Sequence, residues 1–241
     1  MEVLPYIKLD QDKKGQVACM FNKIAGKYDL LNHLLSFDID KYWRRKVISC
    51  LKGTSHAMIL DVATGTGDLA IASMKILPEK VIGVDISEKM LDIGREKLIK
   101  RKLTGKIDFR MGDAEELPFP DNYFDAVISG FGVRNFGNLN RGIREAYRVL
   151  KKGGQLVILE FSKPSGLLFG KLFTWYFKKI LPGIGGLISG DQQAYLYLPE
   201  SVSAFPSGNV FLNIIRAEGF GSCSFKPLTF GIATIYSGFK E

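Results

Sequence analysis

Ile59-Leu60-Asp61-Val62-Ala63-Thr64-Gly65-Thr66-Gly67-Asp68-Leu69-Ala70 is the stretch that decides the fold. An apolar run ends on a carboxylate and passes at once into a glycine-rich turn that opens a helix, the join of a βα unit. Gly65-x-Gly67-x-x-Ala70 also fits the dinucleotide fingerprint, in which glycines let the backbone approach a pyrophosphate at a helix N-terminus. Asp61 argues against that reading, because a carboxylate at the strand tip repels phosphate. It suits a nucleoside carrying positive charge, and S-adenosylmethionine has an ammonium, a sulfonium and no phosphate.

Outward from this turn, runs rich in Val, Ile and Leu recur at 58–62, 81–86, 107–111, 124–129 and 155–161, with helix-compatible stretches at 68–76, 87–102 and 139–149. Such alternation predicts a parallel, doubly wound α/β sheet. Lys151-Lys152-Gly153-Gly154 reads as the stop of the third helix. A helix near 209–218 and strands near 222–227 and 232–239 follow, and the short link 228–231 predicts an antiparallel pair. The sheet is therefore expected to have seven strands, mostly parallel, with the last antiparallel.

With 241 residues, 46% of them hydrophobic, the chain can bury one sizeable core, and a single domain over 1–241 is expected. Two segments fall outside the alternation. Residues 16–51 set Met20, Phe21, Ile24, Tyr28, Leu31, Leu34 and Leu35 at helical intervals, a predicted lid over the sheet edge. Residues 161–208 form an insertion on the substrate side, within which 167–180 reads as a helix mixing aromatics with Lys171, Lys178 and Lys179. Three lysines argue against a membrane span and leave a surface or lid helix.

Cys19, Cys50 and Cys223 are odd in number and lack metal spacing, which fits a reducing, cytoplasmic compartment, and the N-terminus does not read as a signal peptide. The 33 basic against 25 acidic residues give a net charge of +8, which favours anionic surfaces. No compact basic run interleaved with aromatics marks a nucleic-acid stripe, so membrane contact ranks above RNA.

Each later strand end supplies another polar group. Asp85 closes 81–85 and can accept both ribose hydroxyls; the alternative is a helix N-terminal acid beside Ser87. Asp113-Ala114 closes the third strand, where a carboxylate can meet the adenine amino group and a backbone N–H a ring nitrogen, or where the acid simply makes a turn. The series Asp61, Gly65-Thr66-Gly67, Asp85 and Asp113-Ala114 is a far stronger signal than the glycine turn alone.

From Gln16 to Phe239 the chain resembles the C-methyltransferase family of menaquinone and ubiquinone biosynthesis. Carrying the resemblance are Met20-Phe21-Asn22-Lys23-Ile24-Ala25-Gly26-Lys27-Tyr28-Asp29, Asp61–Asp68, Glu116-Leu117-Pro118-Phe119-Pro120-Asp121, Phe131-Gly132-Val133-Arg134-Asn135, Glu160-Phe161-Ser162-Lys163-Pro164 and Tyr197-Leu198-Pro199-Glu200-Ser201-Val202. The resemblance implies a Rossmann-like class I S-adenosylmethionine-dependent methyltransferase fold, and methylation of the ring carbon of a prenylated hydroquinone. It implies cofactor contacts at Thr66, Asp85, Asp113 and Ala114. Many relatives carry a serine where this chain has Gly130, so a contact there is expected from the backbone.

Carbon methylation needs a phenolate, because a neutral phenol ring is a poor carbon nucleophile. A phenol with a pKa of about 10 is ionised to about one part in a thousand at pH 7. Arg134, at the end of the fourth strand, is the candidate for stabilising that phenolate, and Asn135 for orienting the same oxygen or a water. The competing reading of Arg134 is a structural ion pair with an acid near the lid. Tyr28 is a cofactor or quinol contact or a packing residue, and His33 a general base reaching in from the lid. His56 reads as a surface residue; Tyr195, Tyr197 and Glu200 line the substrate mouth or pack the lid. No zinc spacing is present, and transfer from a sulfonium needs no metal.

The expected reaction is methylation of demethylmenaquinol to menaquinol, the last step of menaquinone biosynthesis, with the benzoquinol precursor of ubiquinone or another lipophilic acceptor as alternatives. A nicotinamide-dependent reductase and a non-catalytic nucleoside- or RNA-binding domain are the rivals from other classes. Expected partners are the prenylated quinol, the inner face of the membrane touched peripherally through 167–180, and a second copy of the chain in a homodimer.

Overall fold

The computed structural model describes residues 3–6, 9–51, 56–164, 183 and 190–241. Strands β1 (Met58–Val62), β2 (Lys80–Asp85), β3 (Ile107–Met111), β4 (Phe124–Gly130), β5 (Leu150–Phe161), β6 (Phe220–Leu228) and β7 (Ala233–Lys240) form one sheet in the order β3-β2-β1-β4-β5-β7-β6. β1 to β5 pair in parallel, and β7 runs antiparallel to both β5 and β6. The expected seven-stranded α/β sheet is thus present. Central strands are covered on both faces, which is why β1 and β2 read as continuous apolar runs. Strand order reverses between β1 and β4, and this opens a crevice at the strands' C-terminal ends.

Helices α3 (Asp68–Ser73), α4 (Glu88–Arg101) and α5 (Leu139–Val149) connect the parallel strands. Ser87 Oγ accepts from Met90 N–H and Asn138 Oδ1 from Arg141 N–H, so α4 and α5 begin on hydrogen-bonded caps. The third connecting helix ends at Val149 as expected, but residues 151–154 belong to the next strand and are not a separate stop. β5 already pairs Leu150 with Phe124 and then Gln155 with Ala126, which leaves 151–154 as a bulge in the strand, with Gly153 at φ 77°.

The glycine turn is seated from behind by an aromatic ring. Gly67 has φ 81°, and a Cβ there would lie 2.2 Å from the Phe109 ring; one at Gly83 or Gly94 would also strike that ring. Phe109, reaching in from β3, fills a socket that three glycines leave open.

The predicted lid is two helices, α1 (Lys13–Leu35) and α2 (Ile39–Cys50). Asp12 caps α1 by accepting from Gly15 N–H. Met20, Ile24 and Leu31 are buried, but Leu34 stands 52% exposed, so the apolar stripe leaves the core in its last turn. α6 (Gln192–Ala204) closes the insertion, and α7 (Asn209–Ala217) leads into β6. The expected helix 167–180 lies outside the described residues. Among the described residues, no helix is long and apolar enough to cross a membrane.

Candidate active site

Two cavities lie above the crevice. The first, about 640 Å3, is lined by Gly65, Asp85, Ile86, Met90, Asp113, Ala114 and Gly130 from the sheet side, and by Lys14, Val17, Phe21 and Tyr28 from α1. Asp85 Oδ2 accepts from Gly65 N–H at 2.7 Å and Oδ1 from Ser87 N–H at 2.9 Å, which fixes the carboxylate between the two turns. Each oxygen keeps a lone pair for a ligand hydroxyl. Burial pushes this carboxyl up to about 6, against the pull of the Ser87, Gly65 and Ile86 N–H groups. Asp113 Oδ2 lies 2.7 Å from Lys14 Nζ, which also pairs with buried Glu115 at 2.9 Å, so the lid is tied down over the third strand end.

Of the predicted cofactor residues, the structure brings Gly65, Asp85, Asp113, Ala114 and Gly130 to this one wall. Asp61, Thr66 and Gly67 are not among the residues that line it. Asp61 Oδ2 accepts from Thr64 Oγ at 2.6 Å and from Ala70 N–H at 3.0 Å, and burial pushes its carboxyl up to about 7. It braces the turn. Thr66 Oγ donates to Asp29 Oδ1 on α1 at 2.6 Å and accepts from Lys97 Nζ at 2.9 Å, joining the lid to the glycine turn. A Cβ at Gly130 would sit 3.2 Å from Leu69 Cδ2, so glycine relieves a tight contact here.

The second cavity, about 1270 Å3, is walled by Met20, Ile24, Trp43, Phe161, Tyr195 and Tyr197, with Asp40, Arg44 and Arg134 as its charged groups. Phe21, Tyr28, Phe131 and Asn135 line both cavities, so the two meet at a shared wall. Phe131 holds φ 62°, a strained conformation for a bulky residue, and its ring stacks on Phe161 at 4.3 Å. Asn135 Oδ1 accepts from Tyr197 O–H at 3.1 Å. Burial pushes the Tyr28 hydroxyl above its ordinary pKa.

Arg134 makes a structural ion pair and also lines the larger cavity. Its Nη1 pairs with Glu160 Oε1 at 2.8 Å and donates to the Phe131 carbonyl, with the guanidinium 7% and the carboxylate 0% exposed. Burial pushes Glu160 up to about 7, opposed by Arg134. The ion pair is structural, yet Arg134 also lines the large cavity, and its buried Nε has no hydrogen-bond partner, so the fork retains unused donor capacity.

Other expectations divide. Tyr195 and Tyr197 are buried lining residues; Glu200 is exposed and lines neither cavity. His33 does not line the cavity either. Its Nδ1 lies 2.9 Å from Asp40 Oδ2, and it is Asp40, paired with Arg44, that faces inward. His33, Asp38 and Asp40 bring ligand atoms within 4.8 Å of one another, but Arg44 and Lys41 already pair with the two carboxylates. His56 is buried, not a surface residue, and burial lowers its pKa. Sequence reasoning missed Lys14, Val17, Glu160 and Arg44; Glu160 stood in a quoted segment, but nothing in the spacing links it to a residue 26 positions away.

An α/β sheet of this order, with a cavity at its switch point that shares a wall with a larger and more apolar one, is the arrangement of an S-adenosylmethionine-dependent methyltransferase. The solved structures agree on the fold. A methyltransferase from Thermotoga maritima, described as a possible histamine N-methyltransferase, matches with a TM-score of 0.67 at 21% identity, over 92% of this chain and 99% of that one. A phosphoethanolamine N-methyltransferase from Haemonchus contortus, solved with S-adenosyl-L-methionine, matches at a TM-score of 0.59 and 17% identity, over 82% and 52%. In sequence, the chain belongs to the ubiE/COQ5 methyltransferase family, whose profile matches residues 8–240. It is 49% identical over 240 residues to a demethylmenaquinone methyltransferase of Bacteroides fragilis, covering 99% of this chain and 98% of that one. It is 44% identical to a ubiquinone/menaquinone biosynthesis C-methyltransferase of Geobacter sulfurreducens, over 95% and 90%.

Proposed function

We propose that this enzyme methylates the ring carbon of demethylmenaquinol, completing menaquinone. The observation that carries this reading is the shared wall: Phe21, Tyr28, Phe131 and Asn135 line both the cavity assigned to the methyl donor and the larger, mainly apolar one beside it, which is assigned to the quinol ring. The near full-length likeness to relatives named for that reaction supports it.

The first cavity fits S-adenosylmethionine by its own chemistry. Asp85 would hold the ribose hydroxyls, Asp113 and the Ala114 N–H the adenine edge, and Ile86, Met90 and Ala114 give the base an apolar slot. When bound, the cofactor supplies a methyl group on a positively charged sulfur. In the second cavity, Arg134 favours the ionised quinol hydroxyl by a fixed positive charge in a low-dielectric site. Asn135, held by Tyr197, orients that oxygen. Phe131, Phe161 and Trp43 exclude water and stack the ring, with centroids 4.3 to 6.0 Å apart. Asp40 also faces this cavity, but against the effect of burial Arg44 and the Ser36 hydroxyl hold its carboxyl below the ordinary carboxylate range, so the hydroxyl proton is better passed to water than to this group.

Labelled S-adenosylmethionine with reduced short-tail demethylmenaquinol, run beside the demethylated ubiquinol precursor, tests the reading. Product from the naphthoquinol is expected. Product from the benzoquinol alone transfers the enzyme to ubiquinone synthesis, a reading favoured by the dual name of the Geobacter relative.

A further inference from the structure

The corner between α1 and α2 carries an exposed apolar edge at the rim of the large cavity. Leu30 is 59% exposed, Leu34 52% and Phe37 77%. Positions 23, 27, 30 and 34 fall on one helical face, so exposed Lys23 and Lys27 continue the stripe that Leu30 and Leu34 end. Lys41 and Arg45, one turn apart on α2, stand exposed beyond the corner. Asp38 is the exposed acid at this edge, and Lys41 pairs with it at 2.7 Å. Phe37 lines the large cavity and, among the described residues, is the lining residue that is mostly exposed, which places the opening at this corner.

We propose that the α1–α2 corner is a membrane-docking surface, which inserts Leu30, Leu34 and Phe37 into the acyl boundary with Lys23, Lys27, Lys41 and Arg45 at the level of anionic headgroups. The inference rests on the prenylated quinol reading: a tail held in the bilayer reaches the cavity only if its mouth meets the bilayer. Apolar side chains at the mouth, backed by exposed cations, match what an interfacial segment presents to lipid. No covalent anchor is required; the surface is a reversible one, and a few large apolar side chains plus several cations give binding of that strength.

Flotation with vesicles of phosphatidylglycerol and phosphatidylcholine in equal parts tests the assignment. The wild-type chain is expected to float with these vesicles. A Leu30→Ser/Leu34→Ser variant is expected to partition about tenfold less or weaker still, with unchanged turnover of a short-tail quinol in solution. On a long-tail quinol in the same vesicles its turnover falls in step with binding. Lys27→Glu is expected to weaken binding to the mixed vesicles and leave binding to pure phosphatidylcholine unchanged. Equal flotation of the leucine variant overturns the proposal. So does a wild type that stays off the vesicles and sediments as a dimer dissociated by the same substitutions, which assigns the edge to a second copy. Absent turnover on the short-tail quinol would instead remove the substrate reading, so the two failures are separable.

Discussion

The cavity over the glycine turn takes Asp85, Asp113 and Gly130 from strand ends, with α1 facing them, whereas the larger cavity takes most of its wall from helices α1, α2 and α6 laid across the sheet. Strand ends in a parallel sheet are fixed by the ladder on both sides, and their side chains stay where the register puts them. Helical walls are held by side-chain packing and by polar contacts such as Asp40–Arg44 within α2 and Tyr197–Asn135 between α6 and the sheet side. The difference teaches that one sheet edge can fix a set of polar groups by register while the helices laid across it shape a separate cavity by packing.

Substitutions that act on one cavity and spare the other sharpen this contrast. Arg134→Ala is expected to lower kcat by about 100- to 1000-fold with cofactor affinity unchanged. Because it strands a buried carboxylate, it also costs about 3–5 kcal/mol of stability. Adding Glu160→Gln is expected to restore the melting temperature and not the turnover, and recovery of both would reduce Arg134 to a structural role. Asp85→Ala acts on the other side: calorimetry should show S-adenosylmethionine bound about 100-fold more weakly, since two charge-assisted hydrogen bonds are lost.

The pH dependence of cofactor affinity is a milder probe of the same wall. Asp85 is raised to about 6 by burial, and ribose hydroxyls donate to its ionised form, so binding lowers this pKa. Above pH 6 the carboxylate is already ionised and affinity is flat; below it a proton must leave first. The dissociation constant is therefore expected to rise about tenfold between pH 7 and pH 5. A constant value over that range would place the ribose elsewhere. The smallest effect belongs to Tyr197→Phe, which removes the 3.1 Å bond that holds Asn135. It is expected to cost about 1 kcal/mol, a few-fold in kcat/KM, with no change in cofactor binding.

The two cavities also differed in how far the sequence disclosed them. Asp85, Asp113, Ala114 and the glycine turn were legible because each stands at the end of an apolar run, and apolar runs with period and length reveal strands. Even there, the direction each side chain takes was not legible: Asp61 and Thr66 sit in the motif yet turn inward to Ala70, Thr64 and Asp29. The helical walls were legible as amphipathic stretches, but their partners were not. Glu160 and Arg134 lie on different elements, Lys14 meets Asp113 across 99 residues, and Asp40 rather than His33 faces the cavity. Such pairings depend on how helices cross the sheet, which local spacing does not encode. The bulge at 151–154 escaped for a related reason, since two lysines and two glycines read equally as a helix stop or as an irregular strand.

The Phe109 socket binds four positions of the chain to one another. Gly67, Gly83 and Gly94 have room only for hydrogen because one ring occupies the space between them. A methyl group gained at 94 therefore calls for a smaller residue at 109, whereas one at 83 would also meet the Thr64 hydroxyl at 2.8 Å and one at 67 would still be strained by its φ of 81°. The paired exchange at 94 and 109 offers protein engineers a way to shift the glycine turn from the rear, retuning the grip on the methyl donor without altering any atom that touches it.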